Sequence, residues 1–402
     1  MRVSTALLFE LGQIAIARAQ GAVLHLQQQV ASGRRVLAPS DDPLAAAAAL
    51  ETGAAQAANA RFAANRVAAR NRLERLETAL ASAAGLIAEA REKALAASNP
   101  VLSAADRASL AAAVEQNYQA LLALANSQDA AGRYLFSGYR HAVQPFAPAP
   151  SGADYAGDEG RLCLAIGAAR EIETSFSGAQ VFQRARSGNG VFLVRAHHSN
   201  TGTGVVGAST VADAAAVTGH TYRIEFSGSG SAPRYDVVDE TLGTTLVTAV
   251  PYVPGAPIAF DGLKVELSGL PAAGDRFVVQ PAPAQDLFRT LSELAALLRR
   301  APADAAQAAR NASELGLALA DLDQGLDHLT GLRAEVGARL AELDAFDEEG
   351  AALEVLYAAR RSRLEDLDYA AALSELERTL AVLEAAQKSF LRLSSLGLFS
   401  RL

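Results

Sequence analysis

With 402 residues the chain is too long for one ordinary core and long enough for two or three domains. Half of it is hydrophobic, alanine supplies much of that half, aromatics make up 6% and tryptophan is absent, which suits long helices packed along a close seam better than a deep enzyme pocket. A formal net charge of −8 argues against nucleic acid as the main partner, and the single cysteine, Cys163, excludes an intramolecular disulfide.

A first helix is expected over about 4–31. Ser4 or Thr5 caps it, Val3, Leu7, Leu11 and Ile14 share one face, and Ser32-Gly33 stops it. Its apolar start, Val3 to Phe9, is broken by Glu10 and then Arg18, too short for a secretory signal. No stretch approaches the roughly 18 apolar residues of a membrane span. The expectation is a protein without membrane insertion that stays in the cytoplasm or leaves by a non-Sec route.

Next comes Pro39-Ser40-Asp41-Asp42-Pro43-Leu44. Ser40, Asp41 or Asp42 caps the second helix, and Pro43 sits in its first turn, where a missing N–H costs nothing. Capping explains the two aspartates better than a metal or catalytic role, because no third ligand or base lies nearby in sequence. The second helix, about 44–97, carries Leu73, Leu76, Leu80, Ala83, Ile87, Ala90 and Ala94 at alternating spacings of three and four, a heptad seam with small residues. Arg66, Arg70, Arg72 and Arg75 suggest a phosphate-binding stripe, but Glu74 and Glu77 interleave them, so a solvated face is the simpler reading. Asn99-Pro100 ends the helix, and Ser103 to Asp106 starts a third that ends near 126–131.

Gly132 to Gly138 reads as half a hairpin. Strand-like runs follow at Val191–Arg195, Tyr222–Phe226, Tyr235–Val238, Thr244–Val250, Lys264–Leu267 and Phe277–Gln280. Turn signals separate them at Gly188-Asn-Gly190, Ser227-Gly-Ser-Gly230 and Asp261-Gly262. Helix resumes over about 286–299 and 302–345 with a second seam at Leu329, Leu332, Val336, Leu340 and Leu343. A break is expected at Asp347-Glu-Glu-Gly350. The last helix, about 351–395, has Leu373, Leu376, Leu380, Leu383, Gln387 and Phe390 at heptad spacing, before an apolar end at Leu396, Leu398, Phe399 and Leu402.

The fold class is therefore α+β and multidomain: a long antiparallel helical bundle of N- and C-terminal segments around a central all-β insertion. Residues 1–43 with 350–402 form a terminal assembly region, 44–146 with 286–349 a helical bundle with a hairpin, and 147–285 a β-rich domain.

Chemistry is hard to find in this pattern. Gly202-Thr-Gly204-Val-Val-Gly207 matches a dinucleotide fingerprint, but its glycines should follow a strand and open a helix; here only about a dozen residues separate them from the next strand and Glu225 sits inside that strand, so a flexible loop is expected. His197-His198, if on a strand, points to opposite faces and does not chelate one ion. Cys163 lies in the apolar run Leu162 to Ile166 and reads as a buried small hydrophobe. No catalytic, cofactor-binding or metal residue is assigned, and the chain reads as a structural protein.

The functional signal is at the ends. Ordering a terminal helix costs roughly 1–2 kcal/mol per residue in backbone entropy, and each buried apolar side chain returns only about 1.5–3 kcal/mol. The two ends are expected to order together or against neighbouring chains, folding on assembly. Val3, Leu7, Leu11, Ile14, Leu373, Leu376, Leu380, Leu383, Phe390, Leu396, Leu398, Phe399 and Leu402 are the candidate assembly residues.

Met1-Arg-Val-Ser-Thr5, Ser32-Gly-Arg-Arg-Val36 with Pro39 to Ala45, and Gly132 to Gly138 resemble the amino-terminal half of the flagellin superfamily. Gly331 to Asp344 and Ser362 to Ala370 resemble its carboxy-terminal half, and the ending from Gln387 through Leu402 is similar to its hook-associated protein 3 branch. The likeness covers roughly residues 1–146 and 286–402; Arg35 stands where the family often has lysine. The resemblance implies an inner coiled coil of terminal helices and an outward β domain. It implies type III export, a cytoplasmic export chaperone on the last helix, and a ring of copies between a hook-side adaptor hook-associated protein and flagellin. Flagellin itself is the nearest alternative, disfavoured by the Leu/Phe-rich ending.

Overall fold

Helix formers and their stop signals set the boundaries in the computed structural model, which describes residues 5–228 and 233–399. α1 (Thr5–Ser32) stops where Gly33 takes a left-handed φ of 70°, and α2 (Pro43–Ala97) starts on its proline. α3 (Ala104–Ala125) opens on a reciprocal capping box between Ser103 and Asp106. Two hairpins follow, β1 (Phe146–Ala149) with β2 (Gly152–Tyr155) and β3 (Cys163–Gly167) with β4 (Arg170–Glu173). Then come α4 (Gly178–Phe182), β5 (Ala185–Arg186), β6 (Phe192–Ala196), β7 (Val205–Val211), β8 (Tyr222–Ser227), β9 (Arg234–Asp239) and β10 (Thr244–Pro251). β11 (Pro257–Phe260), β12 (Leu263–Ser268), β13 (Arg276–Pro281) and β14 (Ala284–Gln285) complete the strands, before α5 (Leu287–Arg299), α6 (Ala305–Glu365) and α7 (Tyr369–Phe399).

The chain divides into two compact units, residues 1–66 with 344–402 and residues 67–343. In the first, Phe9 meets Phe390 at one end of α1 and Gly33 meets Tyr369 at the other, so α1 and α7 run antiparallel. The start of α2 and the end of α6 are also antiparallel, joined by Gln56–Glu354, Asn59–Gly350 and Arg66–Asp347.

In the second unit all seven seam residues of α2, Leu73 through Ala94, are buried, against Leu322, Leu329, Leu332, Val336 and Leu343 of α6, with Leu340 half-buried. Glu77–Arg333 and Arg91–Asp323 fix the same antiparallel register. Phe288 of α5 gathers Tyr118, Phe146 and Phe182 around it, ring centroids 5.1–6.2 Å apart. β12 alternates Leu263, Val265 and Leu267 inward with Lys264 and Glu266 outward. That face joins a five-stranded antiparallel sheet (β10-β9-β8-β13-β6) to a three-stranded one (β11-β12-β7) through a shared core that includes Tyr222, Phe226 and Phe277. β10 is an edge strand with two register shifts and Ala249 at φ 53°, irregularities that blunt pairing with another chain.

The six expected strands are all present; β7, β11 and both early hairpins were not foreseen. The Ser227–Gly230 turn lies partly outside the described residues, as does Ser4. Four local expectations are corrected. α6 passes unbroken through Asp347–Gly350, because Gly350 is there to admit the Arg66 guanidinium, and Asn59 Nδ2 donates to its carbonyl at 2.8 Å. The break falls at residues 366–368, where Asp368 accepts from Ala370 and Ala371 N–H to start α7. Gly132–Gly138 is a run of turns with a single bridge, Gln128 to Tyr134, because the Asp129 carboxylate takes the Ala131 and Arg133 N–H groups. Gly202–Gly207 is anchored: Thr201 and Gly202 N–H donate to the buried Asp275, and β7 begins at Val205. Cys163 is exposed, because its hairpin turns Ile166 and Ile172 inward and leaves the first residue of β3 outside.

Candidate functional site

The terminal helices of the first unit carry both covered and open apolar residues. α1 covers Phe9, Gly12, Ile16, Ala19, Val23 and Leu26, and α7 covers Ala372, Leu376, Thr379, Leu383, Ala386 and Phe390. Each set steps by three and four, one stripe per helix. Phe390 sits edge-on to Phe9, centroids 5.4 Å apart at 83°, and a Cβ on Gly12 would come within 2.8 Å of its ring. The missing side chain is what leaves room for the edge of that ring against α1.

The sequence-derived face of α1 is a different one. Leu7, Leu11 and Ile14 remain 47%, 53% and 41% exposed. On α7, Leu373 and Leu380 are exposed, whereas Leu376, Leu383 and Phe390 belong to the covered stripe. Val3 and Leu402, and the side chains of Leu396, Leu398 and Phe399, lie outside the described residues. Sequence reasoning did not single out Phe9, Gly12, Ile16 or Val23; the three-four spacing of small and large residues was the available signal.

The connection between α1 and α2 is pinned to that between α6 and α7. Arg35 N–H donates to Glu365 O at 2.7 Å, Leu367 N–H to Gly33 O at 3.0 Å, and the Arg35 guanidinium to Leu364 O at 2.9 Å. The three capping candidates divide the work. Asp42 caps α2 through Ala45 N–H and pairs with Arg35. Asp41 accepts from Leu37 and Ala38 N–H and so closes the loop, not the helix. These N–H donors, Ala38 first for Asp41 and Ala45 first for Asp42, hold both carboxyls below the usual range. Ser40 is exposed, and Pro43 is the first residue of α2.

Other chemistry stays thin. His197 and His198 follow β6 in a turn, not on a strand, so their rings do come together, 4.2 Å between centroids, with His197 Nδ1 2.7 Å from Ser199 Oγ. Among the described residues no group of three or more His, Cys, Asp or Glu is placed to hold a metal ion, and no helix is long and apolar enough to cross a membrane. Asp321 is buried on α6, accepts from Ser187 Oγ and Gly188 N–H, and has its pKa pushed up by burial.

The profile of the bacterial flagellin N-terminal helical region matches residues 4–141, and that of the D2-like domain of flagellar hook-associated protein 1 matches residues 196–281. The flagellar hook-associated protein 3 of Salmonella typhimurium is 37% identical over 187 residues, 46% of this chain and 58% of that protein. The chain thus spans little more than half the length of the curated relatives it matches. The flagellar junction protein FlgL from Legionella pneumophila is 30% identical with a TM-score of 0.71, over 79% of this chain and all of that one. FlgL of Xanthomonas campestris is 29% identical with a TM-score of 0.71, over 77% and 99%.

Proposed function

We propose that this chain, which belongs to the flagellar hook-associated protein 3 family, is a structural subunit of the bacterial flagellum, not an enzyme, and forms the junction ring between hook and filament. The observation that carries the reading is the divided use of α1. One apolar stripe is closed against α7, while Leu7, Leu11 and Ile14 of α1 are left open, as are Leu373 and Leu380 further along α7. An isolated soluble chain gains nothing from such a face; a subunit that packs against copies of itself does. Val3, Leu396, Leu398, Phe399 and Leu402 belong to the proposed assembly set on their sequence alone.

In this reading residues 1–43 with 350–402 are the assembly region, 44–146 with 286–349 the bundle, and 147–285 the domain free to differ between relatives. The partners are a hook-side adaptor hook-associated protein, flagellin, further copies of the chain, and an export chaperone that covers the last helix. The subunit leaves by the flagellar type III route and completes its terminal helices on assembly, outside the cell. Electron microscopy of a strain lacking the gene tests this. Hooks without filaments, with flagellin shed into the medium, are expected; normal filaments overturn the junction role. Incorporation as thousands of copies along the filament would instead favour flagellin.

A further inference from the structure

The arginines that look like a solvated stripe in the sequence separate in three dimensions. Arg66 is buried and bonded to Asp347. Arg72 and Arg75 instead line one cavity of about 290 Å³, together with Arg133 and carbon walls from Leu76, Leu135 and Leu162. Arg133 is already bonded to Asp129, the one carboxylate in the lining. Among the described residues neither Arg72 nor Arg75 has an ion-pair partner. Glu77 is held by Arg333, and Glu74 is turned about 100° around α2 from Arg75. Two guanidinium groups thus face a half-apolar hollow with their charge unanswered.

The chemistry selects the ligand. A guanidinium pair recognises a planar carboxylate bidentately. A free phosphate or sulfate needs polar contacts on every side, whereas here Leu76, Leu135 and Leu162 share the wall with Tyr134, His141, Thr174 and Ser175, a mixed surface that suits a carboxylate carried on an apolar-flanked chain. The volume is at the small end of ligand sites, the size of a side chain with its neighbours, not of a cofactor. The chain carries an acidic excess of eight charges, so a neighbouring copy presents far more carboxylates than this hollow presents cations.

We propose that the Arg72–Arg75 cavity is a docking socket for an acidic side chain, flanked by apolar residues, of a neighbouring copy in the ring; this rests on the ring-forming reading above. Among the described residues neither arginine spends its charge on an ion pair in its own chain, so both are left for the lattice.

The test has two arms in cells. Arg75 is replaced by the photo-crosslinker p-benzoylphenylalanine in assembled flagella, and the crosslink is mapped by mass spectrometry. The expected product joins position 75 to an acidic segment of a second copy. A crosslink only within the same chain, to a non-acidic segment, or to no protein overturns the socket. In the second arm R72E/R75E leaves the melting temperature and export of the full chain unchanged and lowers the number of filament-bearing hooks by roughly tenfold or more. Wild-type filament counts overturn the proposal, as does a milder loss in R72E/R75E than in the neutral R72Q/R75Q pair. Wild-type filaments in R72E/R75E, with bare hooks in the deletion strain, sink the socket alone; normal filaments in the deletion strain sink the ring-forming reading as well.

Discussion

Leu380→Asp separates two uses of one helix. Leu380 is 43% exposed on the outer side of α7, while Leu383, less than one turn on, lies in the stripe against α1. Full burial of a leucine is worth about 1.5–3 kcal/mol, so closing the open part of Leu380 against a neighbour returns about 1 kcal/mol. Leu7, Leu11, Ile14 and Leu373 are open to a similar degree, 41–53%. The five together offer about 3–7 kcal/mol per chain on assembly. A carboxylate at position 380 removes one share and adds several kcal/mol for an unpaired buried charge, roughly the whole gain. In the free chain the same change touches solvent and shifts stability by about 0.5 kcal/mol or less. Leu383→Asp differs, because it breaks the α1–α7 stripe within the chain. Hydrogen exchange of α1 amides in the free protein should rise sharply for Leu383→Asp and stay near wild type for Leu380→Asp, while electron microscopy shows bare hooks for both. Equal loosening of α1 in the two variants, or normal filaments with Leu380→Asp, refutes this assignment of faces.

Three further outcomes follow from the packing. Gly350→Ala improves helix propensity yet should destabilise the chain by about 1–3 kcal/mol in urea titration, because its Cβ needs the space of the buried Arg66 guanidinium; a gain in stability would mean that Arg66 is free to move. Asp129 has its pKa lowered from 3.8 to about 2, first by the Arg133 side chain. A depressed folded pKa contributes stability above about pH 4 that is lost as pH falls toward 2. The Ala131 and Arg133 amide signals should therefore move over that window in wild type and stay flat in Asp129→Asn. Burial raises the pKa of Asp321, so its ionised form costs stability as pH rises above the unfolded value near 3.8. Asp321→Asn keeps an oxygen for Ser187 and Gly188 and should melt higher at pH 7, the gap closing toward pH 4; a lower melting point at pH 7 refutes the buried-charge argument.

The parts of the fold that were legible in the sequence are those where a strong local pattern agrees with the packing. The α2 seam, the Ser103 capping box, the Gly33 stop and six strands each follow from spacing or cap chemistry alone. Gly350 misled because glycine serves two purposes, helix stop and close approach, and only the position of Arg66 decides between them. β7 was hidden behind three glycines whose pattern suits a loop, yet Asp275 fixes the backbone at Thr201 and Gly202 and leads it into the sheet. Cys163 misled because an apolar run says nothing about which end of a short hairpin reaches the core.

The terminal helices were legible as helices but not in their facing, and the reason bears on function. α1 is apolar on more than one side: Phe9, Ile16 and Val23 on the stripe that meets α7, and Leu7, Leu11 and Ile14 away from it. A one-dimensional pattern with two apolar stripes does not say which is used first. The partner decides, and α7 sets the edge of the Phe390 ring against Gly12, a contact that a side chain at position 12 would obstruct. Both stripes hold large residues, Phe9, Ile16, Val23 and Leu26 on the closed one and Leu7, Leu11 and Ile14 on the open one. Gly12 and Ala19 let the closed pair approach tightly, and Leu7, Leu11 and Ile14 hold burial that only a neighbour would complete. A neighbouring copy would thus add burial that the free chain lacks, which is what the proposed assembly asks of its subunit.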